Sequence, residues 1–144
     1  MGHVHRTAVV PYSATQMYEL VNDVESYPQF LHWCRGARVL GRGPDFVEAT
    51  VDIGLAGIHK SFTTRNTLDP PHSITVALVA GPLRHLSGSW RFESTPEGGC
   101  RVSLDLDFAV AVSPLSFVFS TVFEEIARSQ MQAFIDRARV VYGT

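Results

Sequence analysis

Any chemistry in this 144-residue chain would have to come from six histidines, two cysteines, fourteen carboxylates and a scatter of hydroxyls and amides. His3 and His5 stand two residues apart, so on a strand both project to one face. Two histidines can begin a metal site, but no third and fourth ligand follow at a supporting spacing, and solvated strand positions account for them. His59 and His85 fall on polar strand faces in the same way. Nucleophilic catalysis needs a Ser, Cys or Thr beside a base and an orienting group. There is no GxSxG elbow, and Cys34 or Cys100 with a remote histidine is a coincidence of composition. Asp105 and Asp107 alternate with Leu104 and Leu106, which puts the carboxylates on a wet face rather than in a buried acid pair. Lys60 and Asn66 share the alternation of Ile58, Phe62 and Leu68; either they face inward, or a bulge or edge lets both reach water. These residues favour a non-enzymatic protein.

Composition narrows the class. Hydrophobic residues make up 45% and charged residues 18%, which suits a packed core and excludes a disordered tail. The net charge of −2 excludes a chain that holds nucleic acid by bulk positive charge, while leaving room for a local basic group. Arg35, Arg38 and Arg42, extended by Lys60 and Arg65, are the best such group; a solvated strand face would look the same. Two cysteines 66 positions apart, with no CxxC and no apolar leader, lead us to expect a reduced, cytoplasmic protein. The longest uncharged run, residues 108–123, is broken by Pro114 and falls short of the roughly 20 residues of a membrane span.

The elements follow from periodicity. Ser13 and Gln16 form a capping box with Tyr12 and Met17 at the staple positions, so a helix starts at Ala14. Pro28 is expected to end or redirect it, and residues 28–33 to form a second short helical turn. From Arg35 to Val110 the apolar period becomes two, with turn clusters between runs. Together with residues 4–10 this makes seven antiparallel strands. After Pro114 a helix runs to about Tyr142, and its opening stretch from Leu115 to Phe123 is apolar on every side. A single α+β domain over residues 1–144 results, a curved sheet around a long C-terminal helix with two short N-terminal helices. Because the helix opens too broadly apolar for simple packing, a hollow between sheet and helix is expected, of the size common to ligand pockets, about 300–1,000 Å³.

The motifs also carry a resemblance. Thr7-Ala8-Val9-Val10-Pro11-Tyr12-Ser13-Ala14, Ser26-Tyr27-Pro28-Gln29-Phe30-Leu31, Lys60-Ser61-Phe62-Thr63-Thr64-Arg65-Asn66, Gly81-Pro82, Gly88-Ser89-Trp90-Arg91-Phe92 and the closing Ala133-Phe134, Arg137-Ala138 and Val141-Tyr142 resemble the coenzyme Q-binding branch of the START-like, polyketide cyclase family. His32-Trp33 and Leu83 depart from the usual pattern. The resemblance implies a helix-grip fold and a cytoplasmic protein or one peripheral at the inner membrane. Some members bind ubiquinone and support respiration. Others are ribosome association toxins that bind the large ribosomal subunit and block subunit joining, with an antitoxin partner; a few are cyclases, for which Lys60 and Asn66 would be the residues to test. No cofactor is required, although a bound ubiquinone or similar lipid is implied. The expected ligand site has sheet walls from Val51, Phe62, Leu78, Trp90 and Leu104, a lid from Phe30, Leu31 and Trp33, and a floor from Phe119, Phe123 and Ile126. The basic group Arg35, Arg38, Arg42, Lys60 and Arg65 is the expected ribosome-facing surface.

Overall fold

The structure is a computed structural model that describes residues 2–110 and 116–143. Its first helix is closed reciprocally: the Gln16 N–H donates to Ser13 Oγ at 3.1 Å and the Ser13 N–H to Gln16 Oε1 at 2.9 Å. This box starts α1 (Ala14–Asn22), which buries Met17, Tyr18, Leu20 and Val21. The helix ends well before Pro28, contrary to the sequence expectation. The Asp23 N–H makes the last regular bond, to the Glu19 carbonyl, and the Tyr27 hydroxyl takes the Val21 carbonyl. The chain then tightens into a 3₁₀ helix over Val24–Gln29, with Pro28 inside it, and residues 30–33 follow outside any helix. The second helical turn therefore lies four residues earlier than expected.

Seven strands follow the alternation: β1 (Gly2–Val10), β2 (Cys34–Gly43), β3 (Phe46–Leu55), β4 (Ile58–Asp69), β5 (Ser73–Ala80), β6 (Leu83–Ser94) and β7 (Cys100–Val110). They form one antiparallel sheet in the order β1-β7-β6-β5-β4-β3-β2. On β3 the inward residues Val47, Ala49, Val51 and Ile53 are buried, while Glu48 and Asp52 face outward to Arg65 and Arg38. Register shifts in β2, β5 and β6 bend the sheet, since a bulge adds local twist and curvature. Gly88 sits where a Cβ would come within 2.1 Å of the Asp105 carbonyl, so its bareness lets β6 lie close against β7 rather than leaving a gap.

The concave face closes on α2 (Ser116–Tyr142), 27 residues and about 40 Å long. Pro114 and Leu115, expected at its start, lie outside the described residues. Phe119, Val122 and Phe123 are buried, whereas Phe117 and Val118 at the opening turn remain exposed. At the far end Tyr12 donates to the Gly143 carbonyl at 2.7 Å and Tyr142 to the Gln16 carbonyl at 2.9 Å, tying α2 back to α1. Two aromatic groups fill the space between. One centres on Phe134, with Trp90 and Phe30 at 5.2 Å and Tyr27 at 5.4 Å; the other on Phe123, with Phe108 at 4.9 Å and Phe62 at 5.8 Å. Both use the edge-to-face geometry that aromatic quadrupoles prefer.

Candidate functional site

Between these two aromatic groups lies a cavity of about 110 Å³. The sheet supplies Ala49, Val51, Phe62, Thr64, Asn66, Val76, Leu86 and Leu106; α2 supplies Phe123, Ile126, Ala127 and Gln130; Val24, Tyr27 and Trp33 close it from the side. Small side chains make the space: Ala49 on the sheet and Ala127 on α2 both line it, with Val51, Thr64 and Val76 beside them. The volume is well under the range expected from sequence, because Phe123, Leu106 and Trp33 occupy much of the interval. It still compares with the engineered apolar cavity of about 150 Å³ that takes one benzene. The sheet is also open beside it. β5 and β6 pair only over residues 73–77 against 87–91; beyond that, residues 78–80 pair with β4 alone and residues 83–86 with β7 alone. Val76 and Leu86 stand at the root of this gap and on the cavity wall.

The polar groups on the wall are amides and hydroxyls. Trp33 Nε1–H donates to Gln130 Oε1 at 3.1 Å, and an indole can only donate, so the Gln130 amine is left with its own protons. Thr64 donates to Asn66 Oδ1 at 3.1 Å, which leaves the Asn66 amine in the same condition. Neither amine has a partner among the described residues. The wall therefore carries two amides that each accept one hydrogen bond and whose N–H donors have no partner among the described residues. Among the described residues no carboxylate, histidine or lysine lines it. Its one ionisable group, the Tyr27 phenol, is held neutral: burial first, then the nearby Cys34 and Asp23, push it well above the ordinary value. Burial likewise pushes the Cys34 and Cys100 thiols up to about 11.

Of the ligand-site residues expected from sequence, the structure brings Trp33, Val51, Phe62, Phe123 and Ile126 together on the cavity. Trp90 and Leu104 lie in the solid core, Trp90 at 5.2 Å from Phe134, and Phe119 backs onto Phe123. Leu78 lies beyond the last β5–β6 pair. Phe30 and Leu31 instead line an open groove of about 490 Å³ between residues 29–33 and the outer side of α2, where His32, Asp136 and Arg137 make the walls wet. Sequence reasoning missed Val24, Tyr27, Thr64, Val76, Leu86, Leu106, Ala127 and Gln130 on this wall; small residues at inward positions, such as Ala49, were the available signal. Asn66 and Lys60 part company. Asn66 lines the cavity and is half-buried, while Lys60, nearer the strand's start, is exposed.

The five basic residues do not converge. Arg38 and Arg65 lie on the outer face, 3.1 Å from Asp52 and 3.5 Å from Glu48, while Arg42 and Lys60 sit at opposite ends of the sheet. His3 and His5 reach Asp107 and Asp105 at 2.6 Å each, forming two cross-strand pairs on the outer face of β1 and β7.

This geometry has relatives. The chain is 48% identical over 143 residues to the ribosome association toxin RatA of Escherichia coli K12, covering 99% of this chain and 90% of that one. It is 29% identical over 140 residues to the mitochondrial coenzyme Q-binding protein COQ10 homolog B of Xenopus laevis, covering 94% of this chain and 57% of that one. Among solved structures, the Zhui aromatase/cyclase from a Streptomyces strain superposes with a TM-score of 0.83 at 22% identity, over 96% and 95% of the two chains, which is a likeness of fold. A sequence profile described as polyketide cyclase / dehydrase and lipid transport matches residues 10–135, and the chain belongs to that family, with its curved sheet gripping a long helix.

Proposed function

We propose that this protein binds a ring-bearing, carbonyl-rich hydrophobic guest, a quinone of the ubiquinone type, without transforming it. The observation that carries the reading is the pair of half-satisfied amides. Gln130 and Asn66 each present N–H donors to an otherwise apolar wall, which suits the two carbonyl oxygens of a quinone head. Ala49, Ala127 and Val51 leave space for one ring, and an isoprenoid tail would have to leave through the gap between β5 and β6. Each tail methylene kept from water adds about 0.8 kcal/mol, so a short tail along that apolar gap suffices for firm binding. Proton-transfer catalysis needs a group that titrates near neutrality, and the cavity wall offers none among the described residues. The name of the COQ10 relative agrees with this reading.

The test is titration of the purified protein with a short-chain ubiquinone, followed by tryptophan fluorescence in a Trp90→Phe variant, where Trp33 on the cavity wall is the remaining indole. Saturable quenching is expected. Well-folded protein that shows no quenching, and carries no lipid in native mass spectrometry, overturns the reading.

A second reading rests on the toxin relative: binding to the large ribosomal subunit. The outer-face arginines would supply it, yet Arg38 and Arg65 already hold Asp52 and Glu48, which lowers the charge available for phosphates. Sedimentation of ribosomal subunits with and without the protein, at two salt concentrations, decides it: an unchanged profile at every stoichiometry removes the reading.

A further inference from the structure

Alternate turns of an antiparallel meander lie at the same end of the sheet. The β3–β4 turn, the β5–β6 turn and the opening of α2 after β7 therefore share one end of this molecule. Their neighbourhood is confirmed by Gly81, which packs against Phe62 a few residues beyond the β3–β4 turn, and by Phe123 of α2, which meets Phe62 at 5.8 Å. Residues 53–58, 76–83 and 116–123 contain no charged side chain. At this end Phe117 leaves 81% of its surface in water, Val79 52% and Val118 46%. Ala56 and Gly57, both at positive φ, form an exposed tip between Leu55 and Ile58. Apolar surface concentrated at one end in this way calls for a covering partner.

Charge says which partner. The first charged residues after the two turns are the cations Lys60 and Arg84, and Arg35 stands at the start of β2 on the same end; all three are exposed and none has an acidic partner among the described residues. Three of the acids in the vicinity are engaged, Asp52 by Arg38 and Ser61, Asp107 by His3 and Glu124 by Arg128; Glu125, beyond the opening turns of α2, is the exposed exception and leaves the cations in excess. Apolar tips backed by free cations combine the two signals that hold a protein on an anionic bilayer.

We propose that this end seats on an anionic lipid bilayer, with Phe117, Val118 and the two turns entering the headgroup layer and Lys60, Arg84 and Arg35 lying against lipid phosphates. The gap between β5 and β6 opens at the same end, so the guest passes between cavity and bilayer without crossing water; this passage, unlike the docking, rests on the quinone reading.

The experiment is flotation of the full chain with vesicles of phosphatidylcholine alone or mixed with phosphatidylglycerol, at low and high salt. Retention by the anionic vesicles, weakened by salt, is expected. Phe117→Glu should lower partitioning about tenfold or more, the equivalent of exposing one aromatic side chain again. Lys60→Glu/Arg84→Glu should lower it comparably and remove the salt dependence. Circular dichroism checks that each variant folds. Failure of the wild-type chain to float, or equal flotation of all three proteins, overturns the proposal. So does a concentration-dependent dimer that Phe117→Glu dissolves without any vesicle binding, since a second copy would then be the partner. Uptake of short-chain ubiquinone from solution separates the two readings, because none of the replaced residues lines the cavity. Uptake without flotation defeats the docking and leaves the guest; flotation without uptake defeats the guest and supports the docking.

Discussion

α2 crosses two halves of the same sheet, and they are filled in opposite ways. Around Phe134 the inward positions hold Trp90 and Phe92, with Tyr27 and Phe30 closing from outside, and ring meets ring at 5.2–5.4 Å. About two turns earlier, around Ala127, they hold Ala49, Val51, Thr64 and Val76, and a cavity of about 110 Å³ remains. The helix runs unbroken through both halves, but β5 and β6 part beside the second, and its inward side chains are smaller. A wall that faces a void forfeits contact partners, so the hollow half should be the softer one, with a guest restoring what packing leaves out.

Leu104 and Leu106 test this most sharply, being the same residue type two positions apart on the inward face of β7. Leu104 is fully buried in the filled half and Leu106 lines the cavity. Leu104→Ala should cost near the top of the range of about 2–5 kcal/mol for such truncations, and Leu106→Ala near the bottom, because its surroundings are already incompletely packed. Urea denaturation of both variants checks the order; equal losses would break the comparison. Next in size is Ala127→Phe, which fills the hollow. Quinone uptake should vanish while stability moves by no more than the roughly 1–3 kcal/mol of overpacking. Retained uptake would put the guest elsewhere. Smaller again is Gln130→Glu, which keeps an acceptor for the Trp33 indole and removes the free N–H donors. Uptake should fall about tenfold, the worth of one hydrogen bond of roughly 1.5 kcal/mol, with little change in the thermal midpoint.

The two halves also explain what could be read from sequence. The capping box, the alternation of Val47 to Ile53 and the long terminal helix are local patterns, and the structure follows each of them. The expectation for the cavity wall leaned on large apolar residues, and Trp90, Leu104 and Phe119 instead fill space, as bulky groups do. A hollow is marked by what is small: Ala49, Ala127 and Val76 at inward positions, visible in the sequence but uninformative until the register shows that they share one layer. Gln130 was obscured for another reason. It sits beside the polar stripe of α2, and only its bond to Trp33, 97 positions away in the chain, turns it into a wall residue. The early end of α1 was equally hidden, since it depends on the Tyr27 hydroxyl reaching back to Val21.

The smallest expected effect concerns the two thiols, one beside each half. Cys34 starts the edge strand β2 next to Trp33, and Cys100 starts β7, which is held between β1 and β6. Both are buried, and burial raises both from the ordinary value of 9 to about 11. A raised thiol leaves stability intact below pH 9 and lowers it as pH climbs toward 11, because the unfolded chain releases protons that the folded chain retains. Denaturation midpoints should therefore be level up to about pH 9 and fall above it. Below pH 9 the native thiolates are too scarce to react, so alkylation reports local opening rather than the closed state. Cys34, on an edge strand beside the hollow, should be labelled faster than Cys100, and a bound quinone should slow Cys34 alone. Equal rates, or protection of both thiols together, would mean that the grip opens as one unit and that the hollow half has no softness of its own.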